Sequence, residues 1–243
     1  MATIKTHKLS MHFGGVKAVD NLSITFPKGT ASCLIGPNGS GKTTLLNVLC
    51  GLLKPTSGDV EISGNKYENV NPVKLRSLNV ARTFQDGRLI NQLSVIDNLL
   101  LPVCNNSTVT SIAETNTKKY KHRLTEVLHT TKLYEKRNDL ADNLSYGQRK
   151  LLEMGRVLMQ DAEIYFFDEP FTGLFNEVVE HVMEILQGLK KQGKTLIIIE
   201  HNMELVKRLC DHAIVLDSGK LLAKGTPEEV FQDKKVQEAY LGI

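Results

Sequence analysis

Gly36-Pro37-Asn38-Gly39-Ser40-Gly41-Lys42-Thr43-Thr44 fits the pattern G-x-x-x-x-G-K-[ST], a loop whose backbone N–H groups wrap nucleotide phosphates. Each part has its chemistry. Glycines let successive amides turn inward with no Cβ in the way, Lys42 brings a point charge to the β- and γ-phosphates, and Thr43 offers a hydroxyl to Mg²⁺. The flanks suit the motif: Ala31-Ser32-Cys33-Leu34-Ile35 reads as a short buried strand, and Lys42 through Cys50 as a helix ending at Gly51. A plain glycine-rich turn with an exposed lysine would not need that order of strand, loop and helix.

Ligands of open parallel sheets sit beyond the carboxyl ends of the strands, so the residue after each apolar run carries information. Ile35 leads into the phosphate loop, Phe84 is followed by Gln85, Phe167 by Asp168-Glu169-Pro170, and Ile199 by Glu200-His201. Singly, each is an ordinary loop start; beside a phosphate loop they form a set. Asp168 is placed to hold Mg²⁺, directly or through water, and Glu169 to polarise an attacking water. Pro170 closes the strand.

A different signal comes from Leu144-Ser145-Tyr146-Gly147-Gln148. Ser145 and Gln148 make an S-x-x-Q capping box ahead of a good helix, which explains those two residues by helix initiation alone. Gly147 in the first turn costs about 1 kcal/mol relative to Ala, and that points to close approach by another backbone or a phosphate. The helix dipole and the serine hydroxyl make this end an anion site that the chain's own phosphate loop cannot easily reach. The expected anion is one brought by a second subunit.

These features need a scaffold. Residues 3 to 35 are strand-rich, with Ala18 to Phe26 alternating before a turn at Pro27-Lys28-Gly29; Val60-Glu61-Ile62 and Val80 to Phe84 add further β content. Helical spacing takes over from about Gly87 to Asp161, broken by the polar stretch Asn105 to Thr110. The apolar runs Ile164 to Phe167, Thr195 to Ile199 and Ala213 to Leu216 then punctuate a βαβ pattern, which predicts a mostly parallel sheet buried on both faces. The 243 residues, 41% hydrophobic, suffice for one well-buried domain with an inserted subdomain.

Composition excludes several functions. Net charge is +3, and no basic block is interleaved with aromatics, so no nucleic-acid partner is expected. The densest basic stretch, Lys118 to Arg123, reads as the solvated face of a helix. Cys33, Cys50, Cys104 and Cys210 lie far apart, without metal-site spacing, and are expected as free thiols. The N-terminus lacks the apolar region of a signal peptide, and no apolar run approaches the roughly 20 residues a spanning helix needs.

Gly36 to Thr44, Gln85, Leu144 to Gln148, Ile164 to Glu169 and His201 occur in the order of the Walker A, Q-loop, signature, Walker B and switch histidine of ATP-binding cassette (ABC) ATPases. The chain resembles that family over essentially its whole length. The resemblance implies an α/β fold: a P-loop NTPase (RecA-like) core of residues 1–86 and 162–243, with an N-terminal antiparallel β subdomain and an inserted α-helical subdomain of residues 87–161. It implies ATP as ligand, Mg²⁺ held by Thr43, Gln85 and Asp168, and catalysis by Lys42, Gln85, Glu169 and His201. It further implies head-to-tail pairing, each ATP lying between one cassette's phosphate loop and Ser145, Gly147 and Gln148 of the other. Phe13 matches the aromatic that stacks on adenine; a strand-core phenylalanine is the alternative.

Within the family, Ala81-Arg82-Thr83-Phe84-Gln85, the LSYGQ signature, Ile199-Glu200-His201-Asn202-Met203 and the ending Glu238-Ala239-Tyr240-Leu241-Gly242 look most like the ATPase subunits of branched-chain amino-acid importers. Cassettes that import urea or extract lipopolysaccharide share several of these features. The implied partners are transmembrane permease subunits docked near Gln85, a second cassette, identical or paralogous, and an external substrate-binding protein. The implied location is the cytoplasmic face of the inner membrane.

Two positions depart from the family pattern. Phe175 follows Gly173-Leu174 where Asp or Asn is usual, with Asn176 one place later, and Asn202 stands where many relatives carry an acid. Rival readings are a soluble ABC ATPase working on nucleic acid or ribosomes, disfavoured by the lack of tandem cassettes and of a basic field, and a P-loop kinase. A kinase needs an acceptor site rather than a second ATP-binding face.

Overall fold

The computed structural model describes residues 2–83, 89–103 and 117–241; Phe84, Gln85, Cys104 and the polar stretch Asn105 to Thr110 lie outside them. The chain runs β1 (Ala2–Phe13), β2 (Val16–Leu22), β3 (Thr25–Pro27), β4 (Ala31–Ile35), α1 (Lys42–Leu49), β5 (Ser57–Ile62), β6 (Asn65–Tyr67) and β7 (Val80–Arg82). There follow α2 (Val95–Leu100), α3 (Thr117–Thr130), α4 (Tyr146–Leu158), β8 (Ile164–Asp168), α5 (Asn176–Lys191), β9 (Thr195–Ile199), α6 (Met203–Leu209), β10 (His212–Asp217), β11 (Lys220–Gly225), α7 (Pro227–Gln232) and α8 (Lys234–Leu241).

One sheet has the order β11-β10-β4-β9-β8-β7, and its members are parallel apart from β11, which returns antiparallel on β10. β4, β8 and β9 are buried at every position, as expected of parallel strands covered on both faces. The second sheet is antiparallel, β2-β1-β5-β6, with β3 also paired to β1. The alternating run Ala18 to Phe26, read above as continuous, is two strands. Thr6 intervenes: its hydroxyl donates to the Leu22 carbonyl and accepts from the Ile24 amide, diverting the chain between them.

Register brings the strand ends level. Leu34 of β4 and Asp168 of β8 both pair with Ile199 of β9, and Ile35 pairs with Val215 of β10. Gly36, Glu169 and Glu200 therefore leave the sheet along one edge. Beneath that edge α1 packs Leu45, Leu46 and Leu49 into a core with Leu34, Phe166, Ile197, Ile199 and Ile214, continuous with Ile4, Leu9, Phe26 and Ile62 of the antiparallel strands.

By internal packing the chain divides into two compact units, Met1–Arg82 with Glu163–Pro170 and Leu186–Ile243, and Thr83–Ala162 with Phe171–Ile185. The second is helical. At Gly155 α4 packs tightly on its neighbours: a Cβ there would come within 2.7 Å of Leu99 Cδ2 on α2. Asn98, fully buried on α2, accepts from the Ile90 amide and donates to the carbonyls of Ile90, Leu93 and Ser94, so its side chain shapes the segment ahead of α2. Arg123, expected on a solvated face of α3, is anchored instead, donating to the Leu158 carbonyl and to Glu126.

Candidate nucleotide-binding site

Gly41, in the left-handed region at φ 99°, opens α1 as its N-cap, and no side chain caps the helix. α2, α4, α6 and α7 instead begin with Ser94, Ser145, Asn202 and Thr226, each of which accepts from a first-turn amide. α1 alone of these five presents its first N–H groups uncapped, and no acid stands in its first turn. Such a terminus is a ready anion site. The loop glycines prove to be required by the fold as well as by the ligand. A Cβ at Gly36 would lie 2.2 Å from the Leu216 carbonyl oxygen, and one at Gly41 2.1 Å from that of Ala18, whereas Gly39 at φ 82° faces open space.

Lys42 curls its ammonium under the loop, donating to the carbonyls of Gly36 (2.8 Å) and Pro37 (3.0 Å). Burial lowers its pKa, opposed by the charges of Glu169 and Asp168. The amine therefore lies in the field of both strand-end acids, where a phosphate would compete for it. Pro37 and Thr44 are half-buried, Asn38 and Thr43 are exposed, and Ser40 is buried with its hydroxyl shielded from water.

Asp168 is buried at 1% side-chain exposure, and Arg82 of β7, at 6%, brings Nη2 to 3.5 Å from its Oδ2. Arg82 Nη1 in turn donates to Asn47 Oδ1 on α1 at 2.8 Å, tying the phosphate-loop helix to the aspartate's strand. This brace escaped the sequence reading, although an arginine inside the apolar run Val80 to Phe84 is the signal that could have shown it. The next residue, Glu169, has φ 48°, a left-handed conformation uncommon outside glycine, and its amide donates to the Ile199 carbonyl. The glutamate is half-buried just past the strand's end. For Mg²⁺ the donors fit: the Thr43 hydroxyl and the Asp168 carboxylate are hard oxygen ligands. Gln85, the other expected metal ligand, lies outside the described residues.

His201 is 61% exposed beyond β9. Phe13, at the end of β1, is 47% exposed, so it is no core residue and stays available to a ligand. In the helical unit the capping box forms as expected: Ser145 Oγ accepts from the Gln148 amide, and Gln148 Oε1 accepts from the Ser145 amide. A Cβ at Gly147 would stand 3.0 Å from Val178 Cγ2 of α5, so an intramolecular neighbour also crowds this position, and the glycine does not by itself require a second subunit. Phe175 is 87% exposed, and Asn202 caps α6 by accepting from the Glu204 and Leu205 amides, a role an aspartate would fill equally well. Among the described residues Cys33, Cys50 and Cys210 are buried free thiols, and no cluster of three or more His, Cys, Asp or Glu could hold a metal.

An uncapped helix behind a glycine loop, with an acid pair on a strand one removed in the sheet, defines a P-loop NTPase. A family model described as ABC transporter matches residues 19–172, and one described as branched-chain amino acid ATP-binding cassette transporter matches residues 220–243. The chain is 35% identical over 248 residues to the probable branched-chain amino acid transport ATP-binding protein LivG of Archaeoglobus fulgidus, covering 100% of this chain and 96% of that one. Against the high-affinity branched-chain amino acid transport ATP-binding protein LivG of Escherichia coli K12 the identity is 34%, with coverage of 98% and 97%. A solved nucleotide-free ATP-binding cassette from an ABC transporter superposes with a TM-score of 0.89 at 32% identity, covering all of both chains. The chain belongs to the ABC transporter family, as an ATP-binding cassette that hydrolyses ATP.

Proposed function

We propose that this cassette drives import of branched-chain or related amino acids through transmembrane permease subunits, working at the cytoplasmic face of the inner membrane with a second cassette and an external substrate-binding protein. The observation behind the ATP site is the uncapped N-terminus of α1 with Lys42 folded beneath it. The cargo reading is supported by the match at residues 220–243 and by the names of relatives that align over the whole chain. Among the described residues no helix is long and apolar enough to cross a membrane; in this reading the permease subunits form the passage.

In this reading the amides of Gly39 to Thr44 take the phosphates, Lys42 exchanges its loop carbonyls for β/γ-phosphate oxygens, and Phe13 stacks on adenine. Mg²⁺, held by Thr43, Asp168 and Gln85, would neutralise phosphate charge. Glu169 takes a proton from the attacking water, and His201 contacts the γ-phosphate. Residues 87–161 carry Ser145, Gly147 and Gln148 to the ATP of the partner cassette and form the permease-facing subdomain. Loss of the γ-phosphate removes the shared ligand, so the pair opens.

Gentle solubilisation and capture of the tagged cassette from membranes tests the assignment. Recovery with polytopic subunits whose reconstituted ATPase is stimulated by a binding protein loaded with leucine, isoleucine or valine is the expected result. Stimulation by urea instead, or recovery of a soluble assembly alone, would replace it.

A further inference from the structure

Glu200 ends β9 buried at 3% exposure, between a strand and the histidine that follows. Its Oε1 accepts from the amides of His201 (2.8 Å) and Asn202 (3.0 Å). The same oxygen lies 3.6 Å from His201 Nδ1. Oε2 is shielded from water, and no described donor reaches it. The backbone is pinned too, since the Glu200 carbonyl accepts from the Cys33 thiol at 4.0 Å. On the other side of the histidine, Asn202 is fixed by accepting from the amides of Glu204 and Leu205. An exposed imidazole therefore stands on a turn tied down at both neighbours.

Capping two amides calls for a single neutral oxygen, which a glutamine would supply. A carboxylate adds a charge and a stranded second oxygen in the interior, a costly choice for purely structural ends. The imidazole beside Oε1 accounts for the charge. A carboxylate facing one ring nitrogen draws the proton to that nitrogen and orients the ring, leaving the other nitrogen to act. We infer that Glu200 is the positioning residue of His201: it fixes the turn, engages Nδ1, and leaves Nε2 to meet the nucleotide phosphate. The inference rests on the reading that His201 works in ATP hydrolysis.

The test uses the cassette in the complex recovered with its membrane partners, and compares Glu200→Gln, Glu200→Ala, His201→Ala and the double variant Glu200→Ala/His201→Ala. Glu200→Ala should lower kcat roughly 10- to 100-fold, by analogy with loss of the hydrogen-bond partner that orients a metal-ligating histidine, while KM for ATP changes less than about twofold. Glu200→Gln keeps the amide cap, so it should melt with the parent and still lose kcat. The double variant should fall no further than His201→Ala, because one residue acts through the other. If Glu200→Ala fails to fold, Glu200→Gln carries the comparison. Parental kcat in both Glu200 variants, with His201→Ala inactive, overturns this inference and leaves the site reading standing. Additive losses in the double variant also overturn it. Parental turnover in His201→Ala overturns both.

Discussion

At Glu169 the backbone carries the cost of the chemistry assigned to it. A left-handed conformation in a non-glycine residue costs about 1–2 kcal/mol, and here it falls on the acid expected to act as base, with its amide held by the Ile199 carbonyl. Glu169→Gln preserves that backbone and the side-chain shape, so ATP should bind with near-parental affinity while hydrolysis slows about 10²- to 10⁴-fold, the range for a positioned general base. Equilibrium nucleotide binding beside single-turnover hydrolysis separates the two effects; hydrolysis at the parental rate would remove Glu169 from the base role. The positions of Lys42, Asp168 and Glu169 at the loop and strand end were legible because their motifs are short and follow apolar runs. The Arg82 brace on Asp168 was not, since it depends on the parallel register that sets Arg82 opposite Phe166, a pairing across more than eighty positions of chain.

Among the elements, β4 and β9 fall on the residues read as strands because turn residues punctuate them closely, Gly29 and Gly36 around one and Gly193 ahead of the other. α4 carries a feature that periodicity concealed. Lys150, Glu153 and Arg156 recur at a spacing of three along one side of the helix, half-buried or more, with Lys150 Nζ 3.6 Å from Glu153 Oε2. Burial raises the Glu153 pKa above its ordinary 4.5 despite Lys150 and Arg156, and lowers that of Arg156. The folded state then binds a proton on Glu153 more tightly than the unfolded chain does. Charging it costs stability progressively as pH rises from 4.5 through the raised folded value, and the cost is complete above that value. Glu153→Gln should therefore melt higher than the parent at pH 7, and the gap should close as pH falls towards 4.5. Melting curves across that window check it; a gap that is constant with pH would assign the effect to packing instead of charge.

For the whole molecule, the proposed pairing asks the helical unit to supply a second anion site. Ser145 offers what such a site needs, because its hydroxyl accepts from the Gln148 amide and still has a proton to donate, at the positive end of a 13-residue helix. Exposed Tyr146 and Phe175 stand on the same unit, with Tyr146 Oη donating to the Thr172 carbonyl. Neither the crowding of Gly147 by Val178 nor the exposure of Phe175 could be read from the sequence, because both depend on how α5 returns against α4. That crowding decides how pairing must be tested. Gly147→Asp alone confounds a clash with a charge, whereas in a Val178→Ala background the clash is relieved and the charge remains. With Glu169→Gln added to hold ATP, Gly147→Asp/Val178→Ala should melt near its Val178→Ala parent and bind nucleotide, yet fail to pair in Mg-ATP, because a carboxylate occupies the place of the opposing γ-phosphate. Gly147→Ala/Val178→Ala, which adds a methyl without charge, should still pair. Light scattering during size exclusion reads both, with the native partner cassette supplied wherever the parent needs it. A folded Gly147→Asp protein that pairs as well as its parent would mean that this helix end serves only its own unit, and that the second face of the ATP must come from elsewhere.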